Sequence, residues 1–181
     1  MKIVQPIRSR EKIEAMKTQL KKNSTRDYLL FVIGINVGLR VSDLLTLKVG
    51  DVRGRDFFIV KEQKTDKTRR VFIKDAVKRE IMKHTQDQAD REYLFQSRKG
   101  DNKPIGRVQA YVILNKAAAA VGLDEIGTHT LRKTYGYWHY QQNKDIAALM
   151  IELNHSNQAV TMKYVGISDD IRQQCNNSFV L

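Results

Sequence analysis

Six side chains in this sequence are of types that suit phosphoryl transfer without a metal. Arg40 follows Gly38-Leu39, Lys64 lies in Gln63-Lys64-Thr65, and His129-Thr130-Leu131-Arg132 is an HxxR pair. His155 follows Leu153-Asn154, and Tyr164 comes nine positions later. An arginine fork neutralises phosphate oxygens in a bidentate grip. A leaving oxygen needs a proton, and a positioned, deprotonated tyrosine can attack phosphorus. On a helix, positions 129 and 132 share a face and can reach one anion. Each piece is weak by itself. An HxxR pair arises readily by chance, Tyr164 is one of seven tyrosines, and His155 alone reads as a helix-flanking cap. His84 and His139 lack a matching context, and Tyr135 and Trp138 fall at core spacing.

The alternatives to this chemistry are thin. Four histidines and one cysteine form no CxxC and no HExxH, and no P-loop or GxGxxG is present. No paired carboxylates suggest a two-metal nuclease, so neither metal nor cofactor is expected. Cys175 has no activating neighbour, excludes an internal disulfide framework, and fits a reducing, cytoplasmic setting. No apolar run approaches the roughly 20 residues that span a bilayer, and no signal peptide is apparent. The formal net charge of +12 and pI near 9.8 point to a polyanionic partner, nucleic acid first.

These side chains need elements to hold them. The chain has 181 residues, 41% hydrophobic and 29% charged, a globular balance with one domain expected. Ser9 should cap a helix with Ile13, Met16 and Leu20 on one stripe. Ser24 should open a second, with Asp27 in a capping-box-like position. That helix is apolar almost all round from Tyr28 to Val37, so it belongs in the core, and Gly38 should end it. A short helix with Val41, Leu44, Leu45 and Leu47 follows. Phe57–Val60 and Arg70–Ile73 are β-rich runs around a charged tip, a hairpin signal. Asp75 should cap a helix towards His84, and Tyr93-Leu94-Phe95 is a candidate third strand. After a polar loop over 98–106, a helix from about Arg107 should stop at Gly122. Thr128 should cap a helix through Trp138, and Asn143 another through Leu153. One more should carry Ala159 to Tyr164. From Ser168 the tail is polar and ends in Phe179-Val180-Leu181. The sum is a mainly α (α+β) domain with a small antiparallel sheet.

Taken together, Gly38-Leu39-Arg40, Gln63-Lys64-Thr65, His129-Thr130-Leu131-Arg132, Leu153-Asn154-His155 and Tyr164-Val165-Gly166-Ile167 resemble the ordered signature of the tyrosine recombinases, or phage-type integrases. The likeness runs from about residue 8 onward. It implies the catalytic fold of that family and a recombinase acting through a 3′-phosphotyrosyl intermediate. Tyr164 would be the nucleophile, Arg40 and Arg132 the phosphate clamp, Lys64 the general acid, and His129 and His155 assistants. Asp43 would orient His129. Lys61, Lys67, Arg69 and Arg70 would contact the DNA backbone or remain solvated. The resemblance also implies double-stranded DNA, a tetramer on DNA and an accessory directionality factor as partners, with the tail 168–181 exchanged between protomers. A core-binding domain ahead of the catalytic one is expected to be absent, leaving residues 1–181 as one catalytic domain. The rival readings are a type IB topoisomerase-like relative and a DNA-binding regulator that does not use the site.

Overall fold

Ser9 starts the first helix as its context predicts. In the computed structural model, which describes residues 4–179, its hydroxyl accepts the Lys12 amide at 3.0 Å. Helix α1, Arg10–Asn23, buries Ile13, Met16 and Leu20, the stripe that helical periodicity puts on one face. The Ser24 N–H closes α1, and its hydroxyl caps α2, Thr25–Val37. Helix α2 is the central rod. Leu30, Phe31 and Ile33 are fully enclosed by α1 on one side and α7, Thr130–Asn143, on another. At Gly38 the chain turns with φ of 64°, and a Cβ there would strike the Tyr135 ring. Glycine therefore both ends α2 and lets α7 close on it.

Two single-turn helices follow, α3 at Val41–Leu44 and α4 at Val49–Val52. Strand β1, Phe57–Lys61, pairs antiparallel with β2, Thr68–Phe72, placing Phe58 opposite Val71 and Val60 opposite Arg69. Then come α5, Asp75–His84, and α6, Arg107–Ala120. Past α7 lie α8, Ile146–Glu152, α9, Gln158–Val165, and α10, Ile167–Ser178. A large core gathers residues from α1 to the start of α7. A smaller one joins Tyr135 and Tyr137 to Leu149, Leu153, Val165 and Ile167. A Cβ on Gly136 would lie 2.5 Å from Val165 Cγ1. That close approach seats α9, and so Tyr164, against α7.

The structure corrects several expectations. Residues 93–95 form no third strand. Tyr93 bridges Lys48, Gln96 bridges Pro104, and the chain leaves each partner after one contact. Leu47 lies beyond α3. Asp75 is the first residue of α5, not its cap, and pairs with Lys78 at 2.8 Å. His129, not Thr128, precedes α7, and the Thr130 hydroxyl reaches back to accept the Gly127 amide at 3.0 Å. Asn143 ends α7. Lys144 turns left-handed, and the Asp145 carboxylate caps α8 by accepting the Ala148 amide at 2.9 Å. The polar tail is helical as α10, tethered at its start by Arg8 to Asp170 at 2.8 Å. Phe179 is exposed, and the rest of the expected apolar terminus, Val180 and Leu181, lies outside the described residues. Among the described residues no helix is long and apolar enough to cross a membrane.

Candidate active site

Arg132 is the best-buried cation among the described residues, 2% exposed near the start of α7. Its two terminal nitrogens donate to the carbonyls of Gly38, at 2.8 Å, and Leu153, at 2.6 Å. The end of α2 and the end of α8 thereby fix its guanidinium, which keeps further N–H groups free. Arg40 stands between the Gly38 turn and α3, and its Nη1 donates to Glu62 at 2.6 Å. Lys64 occupies the tip of the hairpin. These three, with Gln63, His129 and Arg107, line a cleft of about 400 Å³ whose charged walls are all cationic. A larger cleft, about 870 Å³, lies between α1, α2 and α7, and none of the six candidates reaches it.

Tyr164 stands at the rim. Its hydroxyl is 3.4 Å from His129 Nδ1, a loose contact typical of a site without substrate. Its ring meets His155 edge to face at 5.2 Å. His155 Nδ1 lies 3.2 Å from the Thr161 hydroxyl, which itself donates to the Asn157 carbonyl at 2.8 Å. Thr161 therefore accepts from His155, and the other ring nitrogen is left for a ligand.

Burial holds the Tyr164 phenol above its ordinary pKa, against the opposing pull of Arg132 and Arg40. Desolvation lowers His129, helped by the cations Lys133, Arg132, Arg40 and Lys64. His155 is lowered by burial, then by Arg132 and Arg40. Both imidazoles are thus neutral near pH 7, and the tyrosine is a neutral phenol.

The six ordered residues are brought together. Two supporting assignments are not. Asp43 does not reach His129. It is completely buried, and its Oδ1 accepts the Gln63 amide at 3.0 Å, so it fastens the hairpin tip that carries Lys64. Arg69 does not face solvent with the other basic residues. It shares the inner face of β2 with Val71, two residues on, and runs beneath the sheet to the Glu152 carbonyl at 2.8 Å and Glu62 at 3.6 Å. Arg70 points outward and covers the Phe57 ring at 4.2 Å. Lys61 pairs with Asp66, and Lys67 donates to Asn154. The sequence reading missed Arg107 in the cleft, Lys133 with Nζ 5.3 Å from the Tyr164 ring, and Thr161 behind His155. In a chain this basic, no local signal separates Arg107 from other helix-starting arginines. Lys133 directly follows the HxxR pair and was the more accessible clue.

Comparison with known proteins identifies the family and the fold. The phage integrase family matches residues 8–170. The probable integrase/recombinase YoeC of Bacillus subtilis (strain 168) is 54% identical over 170 residues, covering 94% of this chain and 93% of that protein. Tyrosine recombinase XerA of Pyrococcus horikoshii is 27% identical over 158 residues, covering 86% of this chain and 55% of that protein. The chain thus spans nearly all of the first and about half of the second. The crystal structure of XerA recombinase superposes with a TM-score of 0.77 at 19% identity, covering 99% of this chain and 65% of that one. XerH site-specific recombinase bound to difH substrate, in a pre-cleavage complex, superposes at 0.72 with 21% identity, covering 91% and 51%. The helices and the two-stranded hairpin belong to one framework: this chain is a member of the phage integrase family and has the tyrosine recombinase catalytic fold.

Proposed function

We propose that the chain is the catalytic domain of a site-specific DNA recombinase working through a 3′-phosphotyrosyl intermediate. The observation that carries this is the convergence of Arg40, Lys64, His129 and Arg132 on one cationic cleft with the Tyr164 hydroxyl at its rim. The Tyr164 oxygen attacks the scissile phosphorus, and its proton passes to neutral His129. A free phenol near pKa 10 is ionised only about once in a thousand at pH 7, and burial raises that barrier, so a base is needed. Arg40 and Arg132 hold the non-bridging oxygens as charge builds on them. The bond from phosphorus to the 5′ oxygen breaks, and Lys64 protonates the departing oxygen. The freed 5′-hydroxyl then attacks a phosphotyrosine on a partner strand, restoring Tyr164. Double-stranded DNA is the substrate, and strand exchange takes place in a tetramer.

Nicked suicide DNA tests the first half of this scheme, because loss of the cleaved end traps the adduct. The wild-type protein should form a covalent complex with or without EDTA. Tyr164→Phe should bind the same DNA and form none. An adduct persisting in Tyr164→Phe would overturn the assignment. Adduct formation and religation without exchange between duplexes would favour a topoisomerase-like activity.

A further inference from the structure

The least expected group near the site is an acid. Glu62 is 1% exposed and lies in a hairpin whose residues 61–74 carry six Lys/Arg. A buried carboxylate is costly unless charges and hydrogen bonds satisfy it. Here a single oxygen, Oε2, accepts from Arg40 Nη1 at 2.6 Å, from the Thr65 hydroxyl at 2.8 Å and from Asn154 Nδ2 at 3.4 Å. The other oxygen faces Arg69 Nε at 3.6 Å. Each of the first three partners belongs to a segment that carries a member of the site. Arg40 is itself one, Thr65 adjoins Lys64, and Asn154 adjoins His155. Asn154 is also held at a positive φ of 47°, a conformation that needs local support.

We propose that Glu62 is a positioning residue for cleavage, fixing the guanidinium of Arg40 and tying the Lys64 tip and the His155 loop to it. This rests on the catalytic reading of Arg40 given above. Glu62 does not meet the phosphate. It occupies one edge of Arg40 and leaves the opposite N–H groups for the non-bridging oxygens. Burial would raise its pKa, but the hydrogen bonds from Thr65 and Arg40 and the charges of Arg40 and Arg132 outweigh that and hold it ionised. An ionised Glu62 also offsets the repulsion among cations that must crowd one phosphate.

The test is a cycle of Glu62→Gln, Arg40→Lys and the double variant. Single-turnover adduct formation on nicked DNA is measured beside DNA half-saturation and Tm. Misplacing a catalytic group by about 1 Å can cost on the order of a hundredfold. Glu62→Gln should therefore slow adduct formation at least about tenfold at saturating DNA, with half-saturation within about twofold. The double variant should be little slower than Arg40→Lys alone, since Glu62 acts through Arg40. A wild-type rate, a loss explained by weaker DNA binding or less folded protein, or multiplying effects in the double variant would overturn the proposal. If Glu62→Gln does not fold, Thr65→Val removes one bond to the same carboxylate and should slow cleavage severalfold without changing half-saturation. A wild-type rate there would overturn it equally. Absence of any adduct from the wild-type protein, or a wild-type rate in Arg40→Lys, would instead strike the catalytic reading.

Discussion

His129 can take a proton from Tyr164 only while it is neutral, and Lys133 helps to keep it so. Removing that cation in Lys133→Gln raises the His129 pKa part of the way towards its ordinary value, since burial and the other cations still hold it down. The acid side of the cleavage-rate profile should then move to higher pH, which single-turnover rates between pH 5 and 8 would register. An unmoved profile would remove His129 as the base. The six candidate residues that the fold gathers were legible as types in the sequence, because each proposed chemical task restricts the residue that can do it. Glu62 was not legible, since an acid in a charged turn looks solvated until its burial is known. Asp43 was noticed for its nearness to Arg40, but one-turn α3 directs it to the hairpin amide of Gln63.

At the scale of elements, β2 separates two arginines that adjoin in sequence. Arg69 lies under the sheet and joins Glu62 to Glu152, whereas Arg70 lies outside. Arg69→Ala should cost about 3 kcal/mol, as for other broken buried pairs, or roughly 10 °C in Tm. Arg70→Ala should leave Tm nearly unchanged and flatten the salt dependence of DNA binding by about one unit. Thermal melts and binding titrations distinguish the two. Strand alternation could have forecast this split, but the run Arg69-Arg70 reads simply as a basic patch. Helices were more legible, because α1 shows its periodicity, α2 its continuous apolar run, and both their caps. Cap positions at α5, α7 and α8 were misplaced by one or two residues, since Asp, Thr and Asn near a helix start satisfy several geometries alike. Helix α10 was missed because its polar sequence buries only Ile167.

The whole molecule joins two cores through α7, with the catalytic cleft on the large one and Tyr164 on the small one. Helix α10 adds little to either, and Ile171 on it and Phe179 just beyond it are exposed. Deleting residues 168–181 should therefore impair complete strand exchange more than single-strand cleavage, measured on the same DNA. Equal loss of both would mean that the tail serves only its own chain. The charge of +12 was readable at once as affinity for a polyanion. The division into two cores was not, because it depends on how closely Gly136 admits Val165.

Arg132 has a consequence for how such a protein can change over generations. The same guanidinium that faces the cleft holds the carbonyls of Gly38 and Leu153. Each buried carbonyl left without a donor costs about 1–3 kcal/mol, so Arg132→Ala should lower Tm where Tyr164→Phe does not. A lineage giving up recombination for simple DNA binding could discard Tyr164 freely. It could not discard Arg132 without first finding another strut for the ends of α2 and α8. A descendant that no longer cuts DNA is therefore expected to keep this arginine as a relic of chemistry it has abandoned.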